Sequence, residues 1–284
     1  MRVVIAEELG FCFGVKRAIQ MVEKAVAQQG GIETIGDIVH NQRVVESLQQ
    51  KNVAVASSLQ AAHGQLVAIT AHGAPPDLYE EARERGLEIL DTTCPYVTKA
   101  QRAARALAEA GFDVVVYGDP EHPEVRGLLG WAGPGAIAGK EWSRIASGKS
   151  FRHKIGLVSQ TTQAPEHFAR FLQDMLNYGL ESVAELRAVN TICRATIDRQ
   201  SAVKKLASEV SLVLVVGSRT SANTKHLVEL AANAGAETHL IESPEEVQLG
   251  WLIGREAVGI TAGASTPGEL ISEVVDRVNA LARE

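Results

Sequence analysis

Short apolar runs bounded by Gly, Asp and Asn alternate along the chain with stretches whose apolar residues recur every third or fourth position. IETI, VAVA, LVAIT and LEIL read as strands, and the stretches near 14–28, 41–50 and 77–85 read as helices between them. In the first of these helices Ile19, Val22 and Val26 stand at i, i+3 and i+7, the spacing of one buried helical face. Continuous apolar strands alternating with amphipathic helices predict an α/β fold whose parallel sheets are covered by helices. Towards the end of the chain LVLVV, THLI and AVGIT supply only three clear strands. The missing fourth is expected to be the opening segment RVVIA, so that residues 2–6 join the last sheet.

The same features return at fixed intervals. Cys12, Cys94 and Cys193 each stand where a strand-like segment gives way to a helix, in GFCFGVKRA, TTCPYVTKA and TICRATIDR, and they lie 82 and 99 residues apart. Gly36, Gly118 and Gly217 keep both intervals, as do His40, His122 and Ser221. A third set closes further strands: His72 in LVAITAHG, Thr161 and Thr162 in KIGLVSQTT, and Ser265 in AVGITAGAS. Self-similarity over a long period marks duplicated structural units. The expected organisation is three similar parallel-sheet α/β units, 14–95, 96–192 and 193–284, with residues 1–13 completing the third. In parallel sheets ligands gather beyond the carboxyl ends of the strands. The cysteines and the repeated polar positions all fall at such ends, which predicts a pseudo-threefold arrangement around one central site.

Composition narrows the chemistry. A net charge of −6 without a basic stripe argues against a nucleic-acid partner. No apolar run approaches the roughly 20 residues that span a bilayer. The opening segment is too quickly charged for a secretory signal, so a cytoplasmic chain without a membrane partner is expected. Three widely spread cysteines do not suggest a disulfide framework. From their number alone, buried and inert thiols are the plain expectation. Their matched positions point instead to a metal centre. Zinc sites usually draw on local pairs such as C-x₂-C, which the sequence lacks. Cubane iron–sulfur clusters normally take four thiolates, and three would leave one iron with an open position. GLLGWAGPGAIAGK and TAGASTPGEL lack the P-loop order, and no dinucleotide-binding turn is present. Electrons would have to arrive from a separate protein.

The strand-end residues His40, His72, His122, Thr161, Thr162, Ser221, Asn223 and Ser265 suit a compact anion with many acceptor oxygens. Glu124, in EHPEV, adds a carboxyl group able to act as a general acid. Taken alone it reads equally well as a solvated first-turn acid favoured by a helix dipole.

GFCFGVKRAI, VHN, AHG, DTTCPYVTK, GDPEHPEVRG, SQTT, TICRATIDRQ, VVGSRTSAN and TAGAS, in that order from end to end, resemble the 4-hydroxy-3-methylbut-2-enyl diphosphate reductases. These are the last enzymes of the non-mevalonate isoprenoid pathway. The resemblance implies three α/β units around one 4Fe–4S cluster with Cys12, Cys94 and Cys193 as ligands. It implies that the substrate hydroxyl meets the open iron, and that isopentenyl and dimethylallyl diphosphates form with two electrons and two protons. His40, His72, His122, Thr162, Ser221, Ala222, Asn223 and Ser265 would bind the allylic diphosphate. Glu124 would give the proton, helped by His122 and by Thr161 or Thr162, between which the resemblance does not choose. The electron donor would be a ferredoxin or flavodoxin, and the chain a monomer or weak homodimer. Phe13, Arg194 and Ala222 depart from the family pattern, where a small residue, an aromatic residue and Ser are usual. The first two flank cluster ligands and bear on redox potential or solvent access. Ala222 removes one hydroxyl and keeps its backbone N–H. Three other readings differ in class. One is a three-Cys cluster enzyme like the quinolinate synthases, one a zinc hydrolase, and one a non-catalytic phosphometabolite-binding module.

Overall fold

Runs such as DVVVY and LVLVV carry no polar face, so they are stable as strands only where both sides of a sheet are covered. The computed structural model describes residues 1–148, 151, 153–179 and 183–283. Its strands are β1 (Arg2–Ile5), β2 (Ile32–Ile35), β3 (Val53–Ala56), β4 (Leu66–Ile69), β5 (Glu88–Asp91) and β6 (Asp113–Tyr117). They continue with β7 (Ile137–Gly139), β8 (Lys154–Ser159), β9 (Glu185–Val189), β10 (Leu212–Val216), β11 (Glu237–Ile241) and β12 (Ala257–Ala262). The helices are α1 (Phe13–Gln29), α2 (Gln42–Gln49), α3 (Pro76–Glu84), α4 (Pro95–Glu109), α5 (Pro123–Ala132) and α6 (Trp142–Gly148). After them come α7 (Pro165–Gly179), α8 (Arg194–Glu209), α9 (Ala222–Asn233), α10 (Leu249–Leu252) and α11 (Gly268–Leu281).

The strands form three four-stranded, all-parallel sheets with one topology: β3-β2-β4-β5, β7-β6-β8-β9 and β11-β10-β12-β1. In the third sheet β1 runs beside β12 with Arg2 opposite Ala257 and Ile5 opposite Ile260. The Ala6 N–H extends the ladder to the Ile260 carbonyl at 2.9 Å. The chain divides into two compact units. The larger, Arg17–Ile38 with Ser47–Cys193, holds the first two sheets. The smaller, Met1–Lys16 with Val39–Glu46 and Arg194–Glu284, holds the third.

In the smaller unit alternate residues of β10 serve two separate cores. Leu212, Leu214 and Val216 meet Ile260, Leu270 and Val274 on one face, while Val213 and Val215 meet Val203, Leu206 and Leu227 on the other. All but Val203's neighbour Leu206 and Leu270 are wholly buried, which is why the run tolerates no polar residue. In the larger unit Val114 and Val116 pack on Ala100, Ala104 and Leu128, while Tyr117 turns to Phe168 and Phe171. On α1 the buried stripe is Val15, Ala18, Val22 and Ala25. Ile19 and Val26, expected there from the apolar spacing, are only half-buried at its edge. Small alanines complete a face that apolar size alone would draw too far round the helix.

The repeats share this geometry but not the residues that fill it. Thirteen positions after Cys94 and Cys193, Leu107 and Leu206 press on strand glycines. A Cβ on Gly156 would lie 3.0–3.1 Å from Leu107, and one on Gly259 would lie 2.9 Å from Leu206. In the first copy the corresponding helix position is Ala25 and the strand position is Leu66, both buried. Bulk has moved from helix to strand. Gly156→Ala is therefore expected to cost about 1–3 kcal/mol through overpacking, seen as a lower urea midpoint. Gly156→Leu should cost more, and adding Leu107→Ala should restore part of the loss. A double variant no more stable than Gly156→Leu alone would refute the compensation.

Candidate active site

Each sheet ends in the same hydrogen-bonded frame. The N–H groups of Gly36, Gly118 and Gly217, just after β2, β6 and β10, donate to the carbonyls of Ala56, Gly139 and Ile241 at 2.9, 3.2 and 2.9 Å. The N–H groups of Cys12, Cys94 and Cys193 donate to the carbonyls of Ala264, Ala71 and Thr161, each at 3.0 Å. Each acceptor immediately precedes one of the polar strand-end residues Ser265, His72 and Thr162. None of the cysteines is in a disulfide, and all three are half-buried. A helix follows each of them at once. Each thiol is thus fixed through the backbone in one identical way, a presentation suited to a metal ligand.

In the larger unit the decisive contacts meet at Thr161. Its N–H donates to Glu124 Oε1 at 2.6 Å and its hydroxyl to Glu124 Oε2 at 2.8 Å, while its carbonyl accepts from Cys193. Glu124 is 2% exposed, so the solvated first-turn reading does not hold. Burial pushes its carboxyl group from 4.5 up to about 7, against the two Thr161 hydrogen bonds, which pull it down. The group is poised to exchange a proton near neutral pH. His122 caps α5, its Nδ1 accepting from the Glu124 N–H at 3.1 Å. The ring of His72 meets that of His122 edge to face, with centroids 5.4 Å apart.

The two threonines separate clearly. Thr161 is spent on Glu124 and Cys193. The Thr162 hydroxyl is buried and has no partner among the described residues. The third repeat, His72–Thr162–Ser265, therefore pairs with the second threonine. Gln160 was not singled out by its sequence. It is fully buried, and its Oε1 accepts from the Asp119 N–H at 3.2 Å, tying the β6 turn to the end of β8. Only its place in SQTT, between the strand and the paired threonines, hinted at this role.

In the smaller unit Ser221 caps α9, its hydroxyl accepting from the Thr224 N–H at 3.3 Å. Ala222 opens that helix, and both polar atoms of the Asn223 side chain are buried without a partner. Ser265 donates to the His40 carbonyl at 3.0 Å. The equal spacing of His40, His122 and Ser221 hides a one-residue difference. His122 and Ser221 are helix caps, whereas α2 starts one residue later and Asn41 Oδ1 accepts from the Val44 N–H at 3.3 Å. Buried amides and hydroxyls without partners are costly unless a ligand completes them. Helix N-termini beside them are suited to phosphate oxygens.

A family model described as LytB protein matches residues 3–279. A 4-hydroxy-3-methylbut-2-enyl diphosphate reductase of Dehalococcoides mccartyi is 44% identical over 283 residues, covering 99% of each chain. One of Geobacter sulfurreducens is 42% identical over 281 residues, covering 98% of this chain and 97% of its own. A solved structure of (E)-4-hydroxy-3-methyl-but-2-enyl diphosphate reductase, the terminal enzyme of the non-mevalonate pathway, matches 99% of this chain and 100% of its own, with a TM-score of 0.71 and 36% identity. That of the Plasmodium falciparum reductase matches 97% of this chain and 87% of its own, with a TM-score of 0.90 and 26% identity. Among the described residues no helix is long and apolar enough to cross a membrane.

Proposed function

The chain belongs to the LytB family, and from that premise we propose that it reduces 4-hydroxy-3-methylbut-2-enyl diphosphate to isopentenyl and dimethylallyl diphosphates, the last step of the non-mevalonate pathway. Two electrons and two protons enter, and the substrate hydroxyl leaves as water. The observation that carries this reading is the junction at Thr161, where a buried, proton-holding carboxyl group and a cysteine loop are held by one residue. A 4Fe–4S cluster on Cys12, Cys94 and Cys193 supplies, when bound, the electrons and one iron free of protein ligands.

The chain's own residues do the rest. With its pKa near 7, Glu124 carries a proton at a carboxyl oxygen in about half of the chains at neutral pH. In that state Glu124 Oε2 donates to the Thr161 hydroxyl, which frees the hydroxyl hydrogen to turn towards the departing oxygen. Thr161 thus belongs to proton delivery and Thr162 to ligand binding. Capping by His122 fixes the first turn of α5 and so the position of Glu124. The diphosphate is held by His40, His72, His122, Thr162, Ser221, the Ala222 N–H, Asn223 and Ser265. The unpartnered Thr162 and Asn223 groups and the N-termini of α5 and α9 support that role. Electrons come from a separate protein such as a ferredoxin or flavodoxin, and the chain acts as a monomer or weak homodimer.

Anaerobic purification tests the reading directly. The expected result is a brown protein with about four irons and four sulfides per chain. Given a chemical reductant, it converts the hydroxylated diphosphate to both products. A colourless zinc-loaded chain, or a cluster-loaded chain that leaves the diphosphate unchanged, would reject it.

A further inference from the structure

Gly10, Thr92 and Thr191 stand two residues before Cys12, Cys94 and Cys193. Two of these three equivalent carbonyls are held by a guanidinium group. Arg17 Nη1 on α1 donates to the Thr92 and Thr93 carbonyls at 3.4 and 3.1 Å. Arg199 Nη2 on α8 donates to the Gly10 carbonyl at 2.7 Å, and its Nη1 to the Ala195 carbonyl at 3.2 Å. Before Cys193 the loop is braced by neutral groups: Thr191 Oγ1 donates to the Ser159 carbonyl, and the Ile192 N–H donates to Asn190 Oδ1.

Arg199 differs from Arg17 in its burial. It is 3% exposed, and its Nε has no acceptor among the described residues. The neighbouring carboxylate, Asp198, pairs with Arg194 instead. A guanidinium group stays charged at every accessible pH. A buried cation without a counter-charge is unfavourable, and two carbonyl contacts offset only part of that cost. A counter-charge is available through the loop it holds, as an anionic group carried by Cys12.

We propose that Arg199 is a positioning residue whose buried charge fixes the Cys12 loop through the Gly10 carbonyl and raises the reduction potential of the iron–sulfur group that Cys12 carries. This rests on the cofactor reading above. Reduction adds negative charge to a group that is already anionic, and a fixed nearby cation favours the reduced state. Removing that charge should make reduction about tenfold less favourable, which for a one-electron couple is about 59 mV more negative.

The test compares wild type, Arg199→Met and Arg199→Lys, each in metal-free form and after anaerobic cluster loading. The metal-free Arg199→Met chain should melt no lower than metal-free wild type, because it no longer buries an unpaired charge. It should gain less from loading, and its loaded potential should shift negative while Arg199→Lys stays near wild type. A folded Arg199→Met chain that takes up no iron, while Arg199→Lys does, supports the proposal as well. A loaded Arg199→Met chain with wild-type potential and wild-type gain on loading overturns it. So does a metal-free Arg199→Met chain that melts far below wild type or does not fold, since Arg199 is then a structural pin. Wild type that holds no iron or sulfide fails the cofactor reading itself, which separates the two failures.

Discussion

Replacing Glu124 with Gln is expected to lower kcat by about 10²–10⁴-fold, the range that a positioned general acid supplies. The amide fills the same space and can still meet the Thr161 N–H and hydroxyl, so the chain should fold and load its cluster normally. The substitution therefore removes a proton rather than a contact. Steady-state turnover with a chemical reductant measures the effect, and near-normal turnover would take Glu124 out of the mechanism. Two pH dependences should change with it. Wild-type turnover needs the protonated carboxyl group, so it should fall as pH rises through about 7, and the variant should lack that limb. Stability should respond too. The folded-state value stands above the ordinary 4.5, so between 4.5 and about 7 the folded chain holds more protons than the unfolded one. Stability should accordingly fall as pH rises across that window, by on the order of 3 kcal/mol in full. Denaturant unfolding of the metal-free chain at pH 5 and pH 8 reads this difference, and Glu124→Gln should flatten it.

Cys94→Ser is expected to abolish turnover and strip the chain of bound iron. Changes to groups that merely orient metal ligands cost about 10–100-fold, and loss of a ligand should exceed that. A serine hydroxyl is not ionised near neutral pH and is a poor ligand for iron in a sulfur-bound cluster. The fold gives a clean control. The backbone N–H that joins residue 94 to the Ala71 carbonyl is untouched by the substitution, as is the α4 helix that follows. Metal-free wild type and variant should therefore unfold at the same denaturant concentration, while only wild type gains stability and colour on reconstitution with iron and sulfide. A Cys94→Ser chain that keeps a stable, active cluster would sink the ligand assignment.

Much of this site could be read from intervals along the chain. The spacings of 82 and 99 residues bring out the cysteines, the glycine turns and the set His40, His122 and Ser221 together, because each duplicated unit reuses the same strand-to-helix junction. The strands were legible for a simpler reason, since runs buried on both faces carry no polar positions. What the pattern could not give is anything decided by tertiary burial. EHPEV fits an exposed helix start, and only the covering of Glu124 in the folded unit raises its proton affinity. Thr161 and Thr162 are chemically identical in sequence, and a one-residue difference separates an acid's partner from a buried hydroxyl with no partner among the described residues. Equal numbering of His40 with His122 conceals the later start of α2 and the capping by Asn41. Arg199 looks like one more cation on a charged helix until its exposure falls to 3%.

The pairing of β1 with β12 has a consequence for synthesis. Arg2 is made 255 residues before Ala257, its partner in the register, which must appear before the third sheet can close. At about 5–20 residues per second, that delay is roughly 13–50 s. The larger unit is contiguous apart from one short excursion and has all its strands well before then. Until β12 is made, β1 has no partner strand, and β10, once it has appeared, has one open edge. The loop that carries Cys12, between β1 and α1, therefore takes its final place only after β12 has formed. Because the Cys12 N–H bonds to the Ala264 carbonyl, whereas those of Cys94 and Cys193 bond to the carbonyls of Ala71 and Thr161, the Cys12 loop is the last of the three cysteine loops to be completed.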